Sequence, residues 1–213
     1  MKILAIETAT EACSAALAID DSQIERYEVA PRKHTQLILP MVEELMNEAD
    51  IKVSDLDAIA FGQGPGAFTG VRIAMGVIQG LAFAQDTPVI PVSTLAALAQ
   101  HVANDHQYVA SAIDARMQEI YWGLFKKNDS GVMQAISEEV VCAAKDVDFI
   151  SDEIWFGAGS GWDTYSDVLS SKFDNNLSGF DGQLFPSAVD VLALAKPAYM
   201  ENKMISVEQA SPV

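Results

Sequence analysis

The chain has 213 residues, of which 50% are hydrophobic and 20% are charged. This is the composition of a globular protein with one sizeable core or two smaller ones. Its 13 lysines and arginines stand against 30 aspartates and glutamates, which gives a net charge of −17. Because each phosphate that a protein binds needs a basic side chain to replace a counterion, this balance argues against direct binding of tRNA or DNA by the chain alone. The same charge balance argues against binding to an anionic membrane surface.

No export or membrane signal is visible in the apolar stretches. The N-terminal apolar run is stopped by Glu7, which makes it too short for the apolar region of a secretory signal. The longest apolar region, residues 71–84, is interrupted by Arg72 and falls short of a membrane span. We therefore expect a cytoplasmic protein.

The pattern of the first half predicts three antiparallel strands followed by alternating helices and strands. In chain order the predicted elements are strands at 2–8, 11–20 and 23–30, a helix at 34–49, a strand at 57–61, a helix at 68–84, a strand at 88–92 and a helix at 93–103. Residues 20–22 are typical of a hairpin turn, and Ser93 or Thr94 is the expected N-cap of the last helix.

After residue 104 the same order begins again. The predicted elements are strands at 108–114, 119–127, 132–136 and 151–157, a short helix at 163–169, and a closing helix at 187–195 that ends before Pro197. The stretch 171–182 is expected to be mostly loop. Three antiparallel strands followed by alternating helix and strand, used twice, is the pattern of the duplicated ribonuclease-H-like fold of actin, Hsp70 and sugar kinases. We predict an α/β protein with two small lobes: residues 1–104, completed by 187–213, and residues 105–186.

A glycine-rich turn, Gly62 to Ala67, lies between a predicted strand and a predicted helix. Its G-x-G-x-x-A spacing is that of a dinucleotide-binding turn, which keeps an oxidoreductase as an alternative function. The next strand, however, is followed by Ser93 and not by the acidic residue that would hold a ribose. A turn whose glycines permit unusual backbone angles is the favoured interpretation.

Two hairpins occupy the places where the predicted fold normally binds the phosphates of ATP. The first contains Glu7, Thr8 and Thr10, which offer a carboxylate and hydroxyl groups but no glycine. The second contains Asp114 followed by the bulky Arg116, again without glycine. Because bare glycine backbone lets N–H groups approach phosphates, both hairpins are interpreted as degenerate phosphate sites.

The histidines do not form a metal-binding pattern. The three of them stand at positions 34, 101 and 106, with no H-E-x-x-H motif and no pair at helical i, i+4 spacing. We therefore expect no metal, no cofactor and no catalytic residue. A peptidase-like or nucleotide-hydrolysing enzyme of the same fold is the alternative.

Two predicted helices have surfaces that suggest a partner. The apolar arc of the helix at 34–49 covers about 200°, whereas a surface helix needs a stripe of roughly 100°. The helix at 68–84 has small residues at i, i+4 and i+8, which allow another helix to approach closely. The two helices either pack on each other within the chain or also form an intermolecular bundle. The predicted partner-contact residues are Leu37, Met41, Leu45, Thr69, Arg72, Gly76, Gly80 and Ala84.

Four motifs together resemble a known family. They are Ile3 to Ser14, His34 to Gln36 with Leu39 and Pro40, Gly64 to Arg72, and Ile113 to Arg116 with Glu119 to Tyr121. They resemble the TsaB family, formerly YeaZ, of bacterial proteins required for threonylcarbamoyladenosine in tRNA. The resemblance covers almost the whole chain in the same order, and the GPGxFTGVR segment is highly specific. Members of the family usually continue past residue 213, so the resemblance also predicts a truncated or cleaved C-terminus.

The resemblance implies a role that depends on partners. The TsaB family is paralogous to TsaD, the transferase that moves a threonylcarbamoyl group from its adenylate onto N6 of the adenine beside the anticodon, in tRNAs that read codons beginning with A. A TsaB protein pairs with TsaD, the ATPase TsaE joins them, and TsaB holds no catalytic metal. The expectation for this chain is a non-catalytic scaffold that is a homodimer when alone, forms a heterodimer with the TsaD-like protein, and meets tRNA only through the complex.

Overall fold

A computed structural model describes residues 1–83, 85–149 and 151–213. The expected partner contact of Ala84 therefore lies outside the described residues. The chain divides into two units: unit 1 is Met1–Ala97 with Pro186–Val213, and unit 2 is Leu98–Phe185. The first boundary thus follows Ala97, where the sequence pattern predicts it after residue 104.

The first half of the chain contains five strands and three helices in the predicted order. They are β1 (Lys2–Glu7), β2 (Ala12–Ile19), β3 (Ser22–Val29), α1 (His34–Glu48), β4 (Ala58–Gly64), α2 (Phe68–Phe83), β5 (Val89–Ser93) and α3 (Thr94–His101). The sheet order is β3-β2-β1-β4-β5, with β1 to β3 antiparallel and β4 and β5 parallel to β1. Because helices cover both faces, β1 and β2 are nearly continuous apolar runs and are buried.

The second half repeats this arrangement. Its elements are β6 (Tyr108–Arg116), β7 (Glu119–Lys127), β8 (Met133–Ala135), β9 (Val140–Ala143), β10 (Trp155–Ala158), α4 (Ser160–Phe173), β11 (Leu177–Asp181) and α5 (Ala188–Met200). The sheet order is β11-β10-β6-β7-β8, and β9 also pairs with β7. Antiparallel β6 and β7 are followed by β10 and β11, which run parallel to β6. The predicted duplicated, ribonuclease-H-like α/β fold is confirmed.

Two local predictions are wrong. The stretch 171–182 is not a loop, because it contains the end of α4 and the whole of β11. The closing helix does not stop before Pro197, and α5 continues to Met200. A proline inside a helix removes one backbone hydrogen bond. Here the turn continues because Ala198 and Tyr199 beyond the proline pack on the core of unit 1.

Unit 1 has a core on each face of its sheet. One core lies under α1 and α2, and the other is closed by α5, whose Val191, Leu192 and Ala195 are fully buried. The C-terminal segment contributes Ile205, Val207 and Ala210 to the first core. Ile205 exchanges two backbone hydrogen bonds with Val89, and the Val213 N–H donates to the carbonyl of Gln63.

Unit 2 has an aromatic core around β6, β7 and α4. Trp122, Trp155, Trp162 and Phe173 are buried there, and their rings contact one another at centroid distances of 5.4–6.5 Å. Among the described residues, no helix is both long and apolar enough to cross a membrane.

Candidate functional site

The first hairpin, residues 7–10, packs against the glycine turn that leads into α2. The Thr8 hydroxyl donates to the carbonyl of Gly70 over 2.8 Å. A β-carbon on Gly66 would clash with the carbonyl of Ala9, and one on Gly70 would clash with the carbonyl of Thr8. Glycine is therefore required for this close approach. In this chain, the backbone of the glycine turn fills the hairpin that other proteins of this fold use to bind phosphate.

Glu7 is fully buried beneath this contact. The Ala9 N–H donates to Oε1 over 2.6 Å, and the Thr94 hydroxyl lies 3.5 Å from Oε2. Burial raises the pKa of Glu7 from its ordinary 4.5 to about 7, although hydrogen bonds from Ala9, Thr8 and Thr94 act in the opposite direction. A carboxyl enclosed in this way has no access to a nucleotide or to a metal-bound water.

The G-x-G-x-x-A spacing has the same structural explanation. A side chain on Gly62 would collide with the Glu7 carboxyl group, and Gly64 has φ +102°, in the region that favours glycine. The strand before the turn is β4, the fourth of its sheet, and the first strand is followed by β2 and not by a helix. The turn therefore gives no support to an oxidoreductase.

Thr10 has a buried hydroxyl group, and its Oγ1 is the one buried side-chain polar atom without a hydrogen-bond partner in the described part of the chain. We predict that Thr10→Val leaves the free energy of unfolding unchanged or raises it by about 1 kcal/mol, because the unsatisfied group is removed while the branched shape is kept. Urea unfolding measures this change.

Thr8→Val is the matched control for Thr10→Val. Its hydroxyl is also buried but is bonded to Gly70, so this change is expected to cost about 1–3 kcal/mol. If Thr10→Val lowered the free energy of unfolding as much as Thr8→Val, the assignment of an unpartnered hydroxyl to Thr10 would be contradicted.

Asp114, the acidic candidate of the second hairpin, belongs to unit 2. Its Oδ1 accepts the Arg116 N–H over 2.9 Å, and its Oδ2 pairs with Arg116 Nη1 at 3.0 Å. Its own N–H donates to the Ser160 hydroxyl over 3.1 Å. The carboxylate therefore shapes the hairpin in which it lies. Within the described residues, no three His, Cys, Asp or Glu side chains are grouped so that they could hold a metal ion.

The structure corrects the partner prediction for α1. Leu45 is completely buried and Met41 is 8% exposed, while Leu37 packs on the same core from a half-buried position. Their apolar arc is wide because α1 packs on β2 and also on α2. These side chains belong to the core of unit 1, and neither Leu45 nor Met41 is available to a partner.

The outer face of α2 is different. Gly76 and Gly80 are exposed, and a β-carbon built on either meets no atom within 4 Å, so the two glycines do not serve packing within the chain. The sequence analysis missed Phe68 and Phe83, which are 72% and 70% exposed. Their helical spacing from the glycines was the available signal. We define the α2 surface by Phe68, Thr69, Arg72, Gly76, Gly80 and Phe83.

Arg72 lies across one end of the α2 surface. Its guanidinium carbon is 3.3 Å from the centroid of the Phe68 ring, and its Nη1 donates to the Phe68 carbonyl over 3.1 Å. This cation–π contact holds the exposed ring in one orientation. The sequence analysis gave Arg72 as a partner-contact residue, and the structure shows its contact with Phe68 within the chain.

Both the fold and the comparisons define a class of protein. The chain has a duplicated α/β fold, and its residues 23–153 match the family model described as TsaD, tRNA N6-adenosine threonylcarbamoyltransferase.

More specific relatives cover the whole chain. The tRNA threonylcarbamoyladenosine biosynthesis protein TsaB of Escherichia coli K12 is 40% identical over 100% of this chain and 94% of its own length. The protein of the same name from Haemophilus influenzae is 39% identical over 100% of this chain and 92% of its own length. The solved structure of YeaZ from Pseudomonas aeruginosa is 46% identical with a TM-score of 0.93, covering 100% of this chain and 98% of that one. The chain belongs to the TsaB family.

Proposed function

We propose that this chain is a non-catalytic subunit in the synthesis of N6-threonylcarbamoyladenosine next to the anticodon of tRNAs that read codons beginning with A. It acts in the cytoplasm by holding a TsaD-like transferase, and a TsaE-like ATPase joins the two. Relatives that match it over its full length are named as threonylcarbamoyladenosine biosynthesis proteins. These names support the pathway, and the structure of the chain supports the subunit role.

The observation that carries the proposal is the α2 surface. Two phenylalanines lie exposed on either side of two glycines that cost about 1 kcal/mol each in helix stability and make no contact in their own chain. Glycines on an exposed helix face allow a second helix to approach closely. When the chain is alone, a second copy related by a two-fold axis would cover this surface. A paralogous transferase with comparable helices would compete for the same surface.

Both phosphate hairpins support the absence of catalysis by this subunit. Glu7 is enclosed by the glycine turn, and Asp114 is bonded to Arg116. If the chain were instead a nucleotide hydrolase of the same fold, the isolated protein would bind ATP with magnesium. Calorimetry with ATP and magnesium separates the two functions, because tight binding by the isolated chain contradicts the scaffold role.

We predict that Gly80→Arg prevents dimerisation of the chain and weakens its binding to the TsaD-like transferase of the same organism by at least 100-fold. The side chain would fill the space that a partner helix needs and would place a charge in a desolvated interface, at a cost of about 3 kcal/mol or more. Light scattering measures the first effect, and calorimetric titration with the transferase measures the second.

Two further variants control this experiment. Ser171→Arg adds the same side chain to an exposed position of α4 and is expected to change neither result. Gly80→Ala should raise the thermal stability of the isolated chain, because alanine favours the helix and its β-carbon meets open space. A folded Gly80→Arg protein that still dimerises and binds the transferase like the wild type would place the interface elsewhere.

A further inference from the structure

The strand β3 forms one edge of the unit 1 sheet, and all eight of its residues pair with β2 without a register shift. In an antiparallel pair, every second residue directs its backbone N–H and C=O toward the partner strand, and the residues between them direct theirs away. The Ala30 N–H donates to the carbonyl of Glu11, which continues this pairing and fixes which residues face β2. The backbone groups that point away from the sheet therefore belong to four outward residues, Gln23, Glu25, Tyr27 and Val29.

Most of these outward backbone groups are unpaired. The Glu25 carbonyl accepts a hydrogen bond from Arg26 Nη1 over 3.0 Å. In the described part of the chain, the backbone groups of Gln23, Tyr27 and Val29 have no such partner. A row of unpaired N–H and C=O groups is a template for the addition of a further strand.

The other sheet edges among the described residues are covered, short or irregular. Ile205 covers β5 by exchanging two backbone hydrogen bonds with Val89. In unit 2, β8 and β9 have only three and four residues, and β11 pairs with β10 through a register shift. Proteins use short strands, irregular pairing, prolines and lysines to prevent unwanted strand addition. β3 has none of these devices, and its sequence, SQIERYEV, contains neither proline nor lysine.

The side chains of β3 leave its edge accessible on both faces of the sheet. On one face the Arg26 guanidinium lies against α1, where it pairs with Glu44 at 2.9 Å and also with Glu48. On the other face Tyr27 and Val29 are 42% and 50% exposed. An incoming strand would therefore find unpaired backbone groups beside a small apolar surface.

The charge of β3 indicates which kind of strand fits. Glu28 is exposed on the strand, and Asp21 is exposed in the turn that precedes it. Arg26, the one cation of β3, is already paired with two glutamates of α1. Opposite charges across a strand pair are stabilising and like charges are destabilising. A basic strand therefore fits this edge, whereas a second copy of the chain would bring the same acidic residues and a net charge of −17.

We propose that the free edge of β3 binds an extended segment of another protein in which basic and apolar residues alternate, and that this segment adds one strand to the five-stranded sheet of unit 1. The alternation follows from the strand geometry, because Tyr27 and Val29 lie on one face of the sheet and Glu28 lies on the other. The site does not depend on the α2 surface. α1 packs on β2 and β3, whereas α2 packs on β4, so α1 separates the two sites.

The first experiment uses a synthetic peptide of about ten residues that alternates lysine and valine. When this peptide binds, amide hydrogen exchange of the outward residues, measured by NMR, is expected to slow, because their N–H groups become bonded. The other amides of β3 already bond to β2 and should change little. A control peptide with glutamate in place of lysine should not bind.

The second experiment changes one outward N–H group. Tyr27→Pro removes this donor without removing a hydrogen bond to β2, and edge strands tolerate proline at such a position. The variant should keep the circular dichroism spectrum of the wild type and should bind the lysine peptide at least about tenfold more weakly. Tyr27→Val keeps the N–H group and should retain the binding. Gln23→Pro has the same design and replaces Tyr27→Pro if that variant does not fold.

Several results would overturn the proposal. One is a lysine peptide that does not bind, and another is a glutamate peptide that binds equally well. If the lysine peptide binds but neither slows exchange at the outward residues nor is weakened by the proline variants, the attraction comes from the net charge of the chain. If the isolated chain self-associates in light scattering and Tyr27→Pro abolishes this, the occupant is a second copy. The proposed function is tested separately by Gly80→Arg and survives any of these results.

Discussion

Leu45→Glu is expected to leave the chain unfolded. Leu45 is fully buried in the core under α1, among Ile38, Val42 and Leu17. A carboxylate there would be desolvated without a partner, and the substitution would also remove apolar packing. The combined cost of several kcal/mol is comparable to the 5–15 kcal/mol by which a typical domain is stable. Far-UV circular dichroism and the soluble yield measure the outcome.

Leu39→Glu is the matched control on the same helix. Leu39 is 53% exposed, so the same change should leave the circular dichroism spectrum unaltered. Leu45→Ala is the milder test and should lower the free energy of unfolding by about 2–5 kcal/mol. A folded and soluble Leu45→Glu protein would mean that Leu45 faces outward and belongs to the interface, as its position in the wide apolar arc suggests.

Glu7→Gln should remove a pH dependence from the stability of unit 1. Because the pKa of Glu7 is about 7 in the folded chain and 4.5 ordinarily, the folded state binds a proton in the interval in which the unfolded state has lost it. The contribution of Glu7 to the free energy of unfolding is therefore fully present below pH 4.5 and falls by about 3 kcal/mol as the pH rises to about 7. Above that pH the Glu7 carboxylate stays buried in its charged form, and the lost free energy of unfolding is not regained.

Glutamine fits the hydrogen bonds that surround Glu7. Its carbonyl oxygen can accept from the Ala9 N–H, and its amide can donate to the Thr94 hydroxyl. The variant should equal the wild type near pH 4.5 and exceed it by up to about 3 kcal/mol at pH 8. Urea unfolding at a series of pH values measures the difference. Glu43→Gln, at an exposed position of α1, should follow the wild type, and an identical pH profile for Glu7→Gln would contradict the prediction.

The sequence pattern predicted most of the strands and helices, but it missed β9 and β11, two short strands of unit 2. β9 was missed because it has only four residues at the edge of its sheet, and both Val140 and Val141 are exposed. β11 was missed because its sequence, LSGFD, contains Gly179 and ends in aspartate, as loops do. Such strands form because β7 and β10 offer them a partner, which is tertiary information.

Only part of the candidate site was predictable, because the sequence does not show which elements pack against each other. A helical wheel shows which residues share a face, but it does not show how many neighbours cover that face. Leu45 of α1 was assigned to a partner because the wheel does not show that α2 covers one side of the arc. Gly80 was predicted to contact a partner and lies on an open face of α2, yet the exposed Phe83 beside it was missed because large apolar residues are usually buried. The enclosure of Glu7 depends on the approach of Gly62, which is distant in sequence.

The discontinuity of unit 1 has a consequence for the order in which a ribosome produces the protein. Unit 2 is one uninterrupted stretch that ends at Phe185, whereas unit 1 also needs Pro186–Val213. Until α5 has been translated, the sheet face lined by Ile3, Ala5 and Ala60 lacks the helix that buries it. Domains generally fold as units during synthesis, and transiently exposed apolar surface is prone to aggregation. Unit 2 can thus complete its fold before unit 1, whose apolar sheet face stays uncovered until α5 has been released from the ribosome.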